Sequence, residues 1–195
     1  MILIYKVATT GLVQFKLADD HPSQPHLVHV AALLCTDSGR IDAAMDRIVQ
    51  PLGWEIPRAS TAFHGVSEAS AVDLGLREDD VLAELLAMDA KAAVRVAHNE
   101  SFDSKVVRIA MARYPEAAAG KLWEKSKGVC SMKTALDYLT TADPKTFWGR
   151  QAKIADVFEA VLGEPYPYGI RATAWVHAVK EIYFKVARQQ LGEAA

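Results

Sequence analysis

The order of the apolar segments is the feature that most constrains how this chain folds. A β-branched and aliphatic run over residues 1–7 is broken by Thr9-Thr10-Gly11, which predicts a buried strand that ends in a turn. A second apolar run, from His26 to Thr36, is followed by Asp37-Ser38-Gly39, which is typical of a hairpin turn. Ala44 to Val49 is predicted to pair back as a third strand. A sheet therefore begins within the first fifty residues.

The rest of the chain combines helical spacing with one short strand. Pro51 to Pro57 is predicted as a loop and Ser67-x-x-Ser70 as a turn. The alanine- and valine-rich run from Ala93 to Ala97 is predicted as a strand. Helices are predicted over Glu78 to Met88, Phe102 to Arg113, Ser131 to Leu139 with Ser131 as the cap, Ile154 to Leu162, and Ala172 to Leu191. This order predicts an α/β fold with a mixed sheet flanked by helices.

Composition limits the domain count and the kinds of partner. A chain of 195 residues that is 51% hydrophobic can bury one sizeable core, and no linker divides it, so residues 1–195 are predicted to form one domain. The net charge of −2, without a basic block, argues against attachment to nucleic acid by bulk electrostatics. The apolar start is too short for a signal peptide or a membrane span, so we expect a cytoplasmic protein without membrane association.

Four short segments carry a more specific signal. They are IYKVATTGL at residues 4–12, FHGV at 63–66, VAHNESFD at 96–103 and GIRATAWV at 169–176. Taken in this order they resemble the DEDDh-type 3′–5′ exonucleases, the family of the polymerase proofreading subunit. That family has Asp-x-Glu before Thr-Thr-Gly-Leu, a His-Gly loop, Ala-His-Asn-x-x-Phe-Asp, and a histidine five residues before an aspartate. The resemblance covers nearly the whole chain and implies a ribonuclease H-like fold.

The resemblance also implies a chemistry that the catalytic positions no longer carry. The family's carboxylates hold two Mg²⁺ or Mn²⁺ ions that activate water, and its histidine is the general base. The four altered positions here are Lys6, Ala8, Ile170 and Trp175, and only Asp103 is kept. One carboxylate beside an ammonium supplies too little negative charge for two divalent ions. We therefore predict no metal cofactor and no cleavage by the family's mechanism.

The replacements form a coherent set. Residues next to the altered positions match the family, whereas the metal and base positions carry one amine, one small residue, one aliphatic residue and one aromatic residue. We interpret this pattern as deliberate redesign, with a natural pseudoenzyme as the alternative. It is similar to designed retro-aldolases, which place one lysine in an apolar pocket on a borrowed scaffold.

Redesign of this kind makes Lys6 the expected catalytic residue. Ala8, Ile170 and Trp175 are predicted to remove water from Lys6 and favour its neutral form, which attacks a small carbonyl substrate to form a Schiff base. Asp103 is then either a counter-ion that keeps the amine protonated or a general base. Nucleic-acid binding is expected to be weak or absent.

Two other interpretations stay open. The chain could be a catalytically dead exonuclease that still binds single-stranded ends or a nucleotide through Thr9, His64, Asn99 and Phe102. It could also be a scaffold with neither activity. His64 and His98 are interpreted as inherited structural or substrate-loop residues, either of which relays protons only if its ring faces the pocket.

Overall fold

A computed structural model describes residues 1–120, 123, 126–142 and 152–190, with side chains up to residue 187. The strands are β1 (Ile2–Thr9), β2 (Leu27–Cys35), β3 (Ile41–Ile48), β4 (Val94–Ala97) and β5 (Lys127–Cys130). The helices are α1 (Arg58–His64), α2 (Glu68–Leu74), α3 (Glu78–Asp89), α4 (Glu100–Arg113), α5 (Ser131–Ala142), α6 (Ile154–Leu162) and α7 (Ala172–Gln190).

The five strands form one mixed sheet in the order β3-β2-β1-β4-β5. β2 runs antiparallel to both β1 and β3, whereas β4 is parallel to β1 and β5 is parallel to β4. The predicted hairpin turn between β2 and β3 is confirmed, and Gly39 adopts a φ of 86° there, a left-handed conformation that glycine adopts without steric cost. The predicted α/β class, with a mixed sheet flanked by helices, is also confirmed.

The central strand β1 is covered on both faces, which explains its continuous apolar sequence. Leu3, Tyr5 and Val7 point to the face packed by α3 and α4. Ile2 and Ile4 point to the opposite face, where apolar residues of α7 cover them. Because side chains alternate along a strand, Lys6 and Ala8 follow Ile2 and Ile4 on the α7 face. The polar site therefore begins where the apolar row on this face ends.

Three short elements were not predicted. α1 and α2 have seven residues each and lack an extended apolar stripe, and the four-residue β5 contains Gly128. Ser67 and Ser70, predicted as a turn, form the capping box at the start of α2. The other predicted strands and helices are present with small shifts at their ends, and Leu191 lies outside the described residues. None of the helices in the described part of the chain is long and apolar enough to cross a membrane.

Candidate functional site

The candidate site lies where the parallel strands β1 and β4 end. Asn99 links β4 to α4 in a left-handed conformation with a φ of 68°, which asparagine tolerates better than most residues. The amide of Phe102 donates to the Asn99 carbonyl at 2.9 Å and starts the helix. This tight turn brings Asp103, in the first turn of α4, to the end of β1. In open α/β sheets, ligands bind beyond the carboxyl ends of the strands.

Lys6 and Asp103 form a direct ion pair at this position. The Lys6 Nζ atom lies 2.5 Å from Asp103 Oδ1, and the backbone amide of Val7 donates to the same oxygen at 3.1 Å. The Asp103 side chain is 0% exposed and that of Lys6 is 15% exposed. Burial raises the pKa of the Asp103 carboxyl, while the Lys6 ammonium and the Val7 amide oppose that rise. The second oxygen, Oδ2, has no hydrogen-bond partner among the described residues.

Aromatic rings surround the ammonium. The Lys6 Nζ atom is 5.7 Å from the ring centroid of Phe102 and 5.9 Å from that of Trp175, which is within cation–π range. The Trp175 ring is buried, and its centroid lies 5.4 Å from that of Phe63, with the two ring planes tilted by 51°. The site is therefore a buried charge pair within an aromatic cluster that continues outward through Phe63.

These residues do not fit the two divalent ions that the resemblance implies. Such ions need several oxygen ligands, and Ala8 and Trp175 supply none. The first oxygen of Asp103 already accepts a hydrogen bond from the Lys6 ammonium. In the part of the chain that the structure describes, no three His, Cys, Asp or Glu side chains are grouped so that they could hold a metal ion.

The remaining predicted pocket residues take different positions. Ala8 is buried, and Thr9 is buried with its hydroxyl bonded to the Gly11 carbonyl at 2.7 Å. Ile170 departs from expectation, because its side chain is 52% exposed and therefore excludes little water from Lys6. It precedes α7 in a loop and lies beside Gly65. The structure thus gathers Lys6, Asp103, Phe102 and Trp175 into one cluster, with Ile170 at the surface.

The two histidines of the motifs differ in their surroundings. His98 is buried, with Nε2 3.0 Å from the Ala152 carbonyl and Nδ1 3.4 Å from the Ser131 hydroxyl, and burial lowers its pKa to about 4. Both of its ring nitrogens therefore have structural partners. His64 accepts a bond from the Val66 amide at Nδ1, and burial lowers its pKa. Its Nε2 makes no well-formed hydrogen bond with a described residue, although the backbone of Thr9 opposes the lowering of its pKa.

A histidine–aspartate pair beside the site was missed from the sequence. His29 lies opposite Ala8 in the β1–β2 ladder, so both side chains share the α7 face. The His29 Nε2 atom is 2.5 Å from Asp46 Oδ1 on β3, and burial lowers the pKa of His29 although Asp46 opposes this. The signal was a histidine inside the apolar run of β2. Its position opposite Ala8 depends on a strand register that the sequence does not reveal.

Exonuclease I structures share this architecture. A product-bound form has a TM-score of 0.74 and 14% identity, covering 96% of this chain and 43% of that one. The zinc-bound form of the E. coli exonuclease I–ssDNA complex has a TM-score of 0.76 and 14% identity, covering 98% and 41%. The E. coli enzyme in complex with a 5cy-dA13 oligonucleotide has a TM-score of 0.72 and 15% identity, covering 96% and 40%.

The similarity to solved structures establishes the fold of this chain and does not establish its activity. No protein-family model matches the chain, and the search of curated proteins gives no significant match. The chain spans about two fifths of the length of the exonuclease I chains, whose aligned shares are 40–43%. An identity of 14–15% also means that it is not one of these enzymes with a few residues replaced. The chain therefore has the ribonuclease H-like exonuclease fold, seen in exonuclease I.

Proposed function

We propose that this chain is an exonuclease-fold domain that binds a single-stranded nucleic-acid end or a nucleotide without two-metal cleavage. The contact of 2.5 Å between Lys6 and Asp103 carries the proposal. It places a fixed ammonium against the one carboxylate that remains from the family's set. An ammonium at the ends of β1 and β4 is then built into the chain, where its charge is balanced by Asp103.

A bound ammonium does not replace a catalytic metal ion in hydrolysis. A divalent ion activates water because the water is directly coordinated and loses a proton easily. The Lys6 ammonium has only N–H donors and no open coordination position. Ala8, Ile170 and Trp175 add neither a general base nor an oxygen ligand. The site keeps an ammonium with N–H donors beyond the one given to Asp103, and it lacks the groups that the family uses for cleavage.

Support for binding comes from the position of the site and from the fold neighbours. The E. coli exonuclease I structures include complexes with single-stranded DNA and with an oligonucleotide. In this chain Phe102 lies beside the Lys6 ammonium, and the exposed ring of Phe63 packs against Trp175. Aromatic side chains beside positive charge are the usual features of single-strand binding sites.

The nuclease test is direct. With Mg²⁺ or Mn²⁺ we expect no degradation of a labelled single-stranded oligonucleotide above a blank. Changing Lys6→Asp, Ala8→Glu, Ile170→His and Trp175→Asp together should introduce metal-dependent degradation, and Lys6→Asp with Ala8→Glu alone should not, because two ions need the whole ligand set. Digestion by the unaltered chain that disappears in Asp103→Asn would contradict the proposal, whereas digestion that persists identifies a contaminant.

Binding is tested separately by fluorescence anisotropy. We expect the chain to prefer a single strand with a free 3′ end over a blunt duplex, and to keep that preference at high salt. Affinity that is equal for both ligands and falls steeply with salt would indicate non-specific phosphate attraction only. The same outcome would contradict a dedicated strand-end site.

Amine catalysis by Lys6 is the second candidate, favoured by the position of a partly exposed amine beside Trp175. It ranks second because contact with Asp103 stabilises the ammonium, which does not attack carbonyls. Amine catalysis is tested by borohydride trapping with an aldehyde or β-diketone, followed by peptide mass mapping. The test does not depend on whether the replacements arose by design or by natural divergence. Labelling of Lys6 no faster than exposed Lys16 would exclude Schiff-base chemistry.

A further inference from the structure

Two buried histidines lie near each other where the end of α1 meets β2. His29 on β2 and His64, the last residue of α1, are each 1% exposed. His29 is within electrostatic reach of His64, and burial lowers the pKa of both rings. Both imidazoles are therefore neutral at about pH 7. A neutral imidazole has one nitrogen that donates and one that accepts, so the neighbours of each ring decide which nitrogen carries the proton.

Hydrogen bonds fix the position of the proton on each ring. His29 Nε2 lies 2.5 Å from Asp46 Oδ1, so Nε2 carries the proton and Nδ1 is left as an acceptor. This buried Nδ1 has no hydrogen-bond partner among the described residues. His64 Nδ1 accepts a bond from the Val66 amide at 3.2 Å, so the proton of this ring is on Nε2. Each ring therefore holds a single proton in a fixed position.

A second proton is incompatible with the bonds of either ring. On His64 it would sit on Nδ1 and face the Val66 N–H, so two donors would meet and the existing bond would be lost. On His29 it would also sit on Nδ1, which has no acceptor among the described residues. Protonation of both rings would place two positive charges near each other in a buried region, which raises the free energy of the folded state.

His64 shapes the turn that attaches α1 to the rest of the fold. Val66, whose amide donates to His64, is 0% exposed and packs in one apolar cluster with Val28 of β2. Gly65 lies between them with a φ of 72°, and a Cβ built on it would lie 3.5 Å from the side chain of Ile170. Loss of the His64–Val66 bond would therefore loosen the contacts that hold the end of α1 against β2 and against the loop before α7.

Charged and titratable groups from the neighbouring elements face His29. They are Asp46 on β3, Arg171 before α7 and His64 on α1. Asp46 is the one carboxylate of this set and its side chain is 55% exposed, so it offsets only part of the charge that two protonated rings and the guanidinium would carry. On β1 the residue opposite His29 is the uncharged Ala8, and Lys6 on the same face is paired with Asp103. Acid therefore adds positive charge that this region compensates only in part.

We propose that His29 and His64 form an acid-sensitive latch, in which the two neutral rings hold the end of α1 against β2 and protonation releases it. Release frees residues 58–66 and separates Phe63 from Trp175 before the sheet unfolds. A histidine whose pKa is lower in the folded state stabilises that state above about pH 6.5, and this contribution is lost as pH falls below that value. The latch does not depend on the proposed function.

Hydrogen exchange measured by mass spectrometry tests the latch. The protection of peptides from residues 58–66 should fall at least about threefold more than that of α3 when pH is lowered from about 7.5 to about 5. His64→Asn keeps an acceptor near the position of Nδ1 and does not titrate, so it should remove most of this difference. His21→Asn is the matched control, because His21 Nδ1 accepts from the Ser23 amide with the same spacing at the surface, and the difference should persist.

NMR of the unaltered chain tests the latch without a substitution. The Val66 amide signal should shift with an apparent pKa below the ordinary histidine value of about 6.5, together with the ring signals of His29 and His64. An α1 segment that loses no more protection than α3 at acid pH would overturn the latch. A Val66 signal that stays constant while His64 titrates, or an acid response that His64→Asn leaves unchanged, would overturn it as well.

Discussion

Two ion pairs of this protein differ both in burial and in geometry. Lys6 and Asp103 make one contact of 2.5 Å with side chains that are 15% and 0% exposed. Arg47 on β3 and Glu84 on α3 make two parallel hydrogen bonds of 2.9 and 3.0 Å, with side chains that are 39% and 37% exposed. The pair with two hydrogen bonds, Arg47–Glu84, is therefore the one whose side chains are more exposed to solvent.

Geometry alone does not decide how much each of the two pairs contributes to stability. At the surface, water solvates each charge almost as well when the partner is missing, so the pair contributes little. In the interior, removing one partner leaves a charge without solvent, and the cost is the desolvation of that charge. Asp103 is fully buried, and among the described residues its side chain has two hydrogen-bond partners, the Lys6 ammonium and the Val7 amide, so the stability of its charge depends on Lys6.

The largest expected effect is that of Lys6→Met. This change keeps a flexible chain of similar length and removes the ammonium, which leaves Asp103 buried without its cation. We expect the free energy of unfolding to fall by about 3–5 kcal/mol, measured by urea titration near neutral pH. Adding Asp103→Leu should recover most of that loss, because an apolar pair of similar volume needs no charge compensation. A loss within 1 kcal/mol for Lys6→Met, as expected of surface pairs, would contradict the contrast.

The loss of stability in Lys6→Met should depend on pH. In Lys6→Met, burial still raises the pKa of Asp103 and the opposing ammonium is gone. A carboxyl whose pKa is higher in the folded state stabilises the fold when protonated, and this contribution disappears as pH rises through the folded pKa. The deficit of Lys6→Met should therefore be larger at about pH 8 than at about pH 5.

A matched variant isolates the Asp103 carboxyl. Lys6→Met with Asp103→Asn has no titrating group at the pair, so its difference from the unaltered chain should vary less with pH. In the unaltered chain burial, aided by the Lys6 ammonium, lowers the pKa of His98 to about 4, which makes stability fall as pH decreases from about 6.5, and burial keeps that direction in the variants. The comparison is therefore made between variants at each pH. A deficit of Lys6→Met that grows toward acid pH would show that Asp103 is not the titrating group.

Much of the fold and part of the site follow from local sequence. Alternation along β1 places Lys6 and Ala8 on one face, and the motif in α4 places Asp103, so the altered positions could be predicted. α1 was not predicted because its seven residues lack a repeated apolar spacing, and the place of Phe63 against Trp175 was missed with it. Ile170 was expected to shield Lys6, but a loop residue before a helix start takes its exposure from tertiary packing. The His29–Asp46 pair depends on β-strand register, which no local pattern determines.

The smallest expected effect is that of Arg47→Met, which applies the same replacement to the surface pair. Arg47 connects the edge strand β3 to α3 through Glu84, and each side chain is more than a third exposed. Water can solvate Glu84 after the change, and two long side chains regain rotamer freedom, so we expect a loss of at most about 1 kcal/mol. The loss should shrink further when ionic strength rises from about 0.01 to 1 M, because screening at the surface is strong. The loss from Lys6→Met should change much less over that range, since its charges lie in the interior. If both variants lost similar amounts of stability with the same salt dependence, burial would not be what separates the pairs.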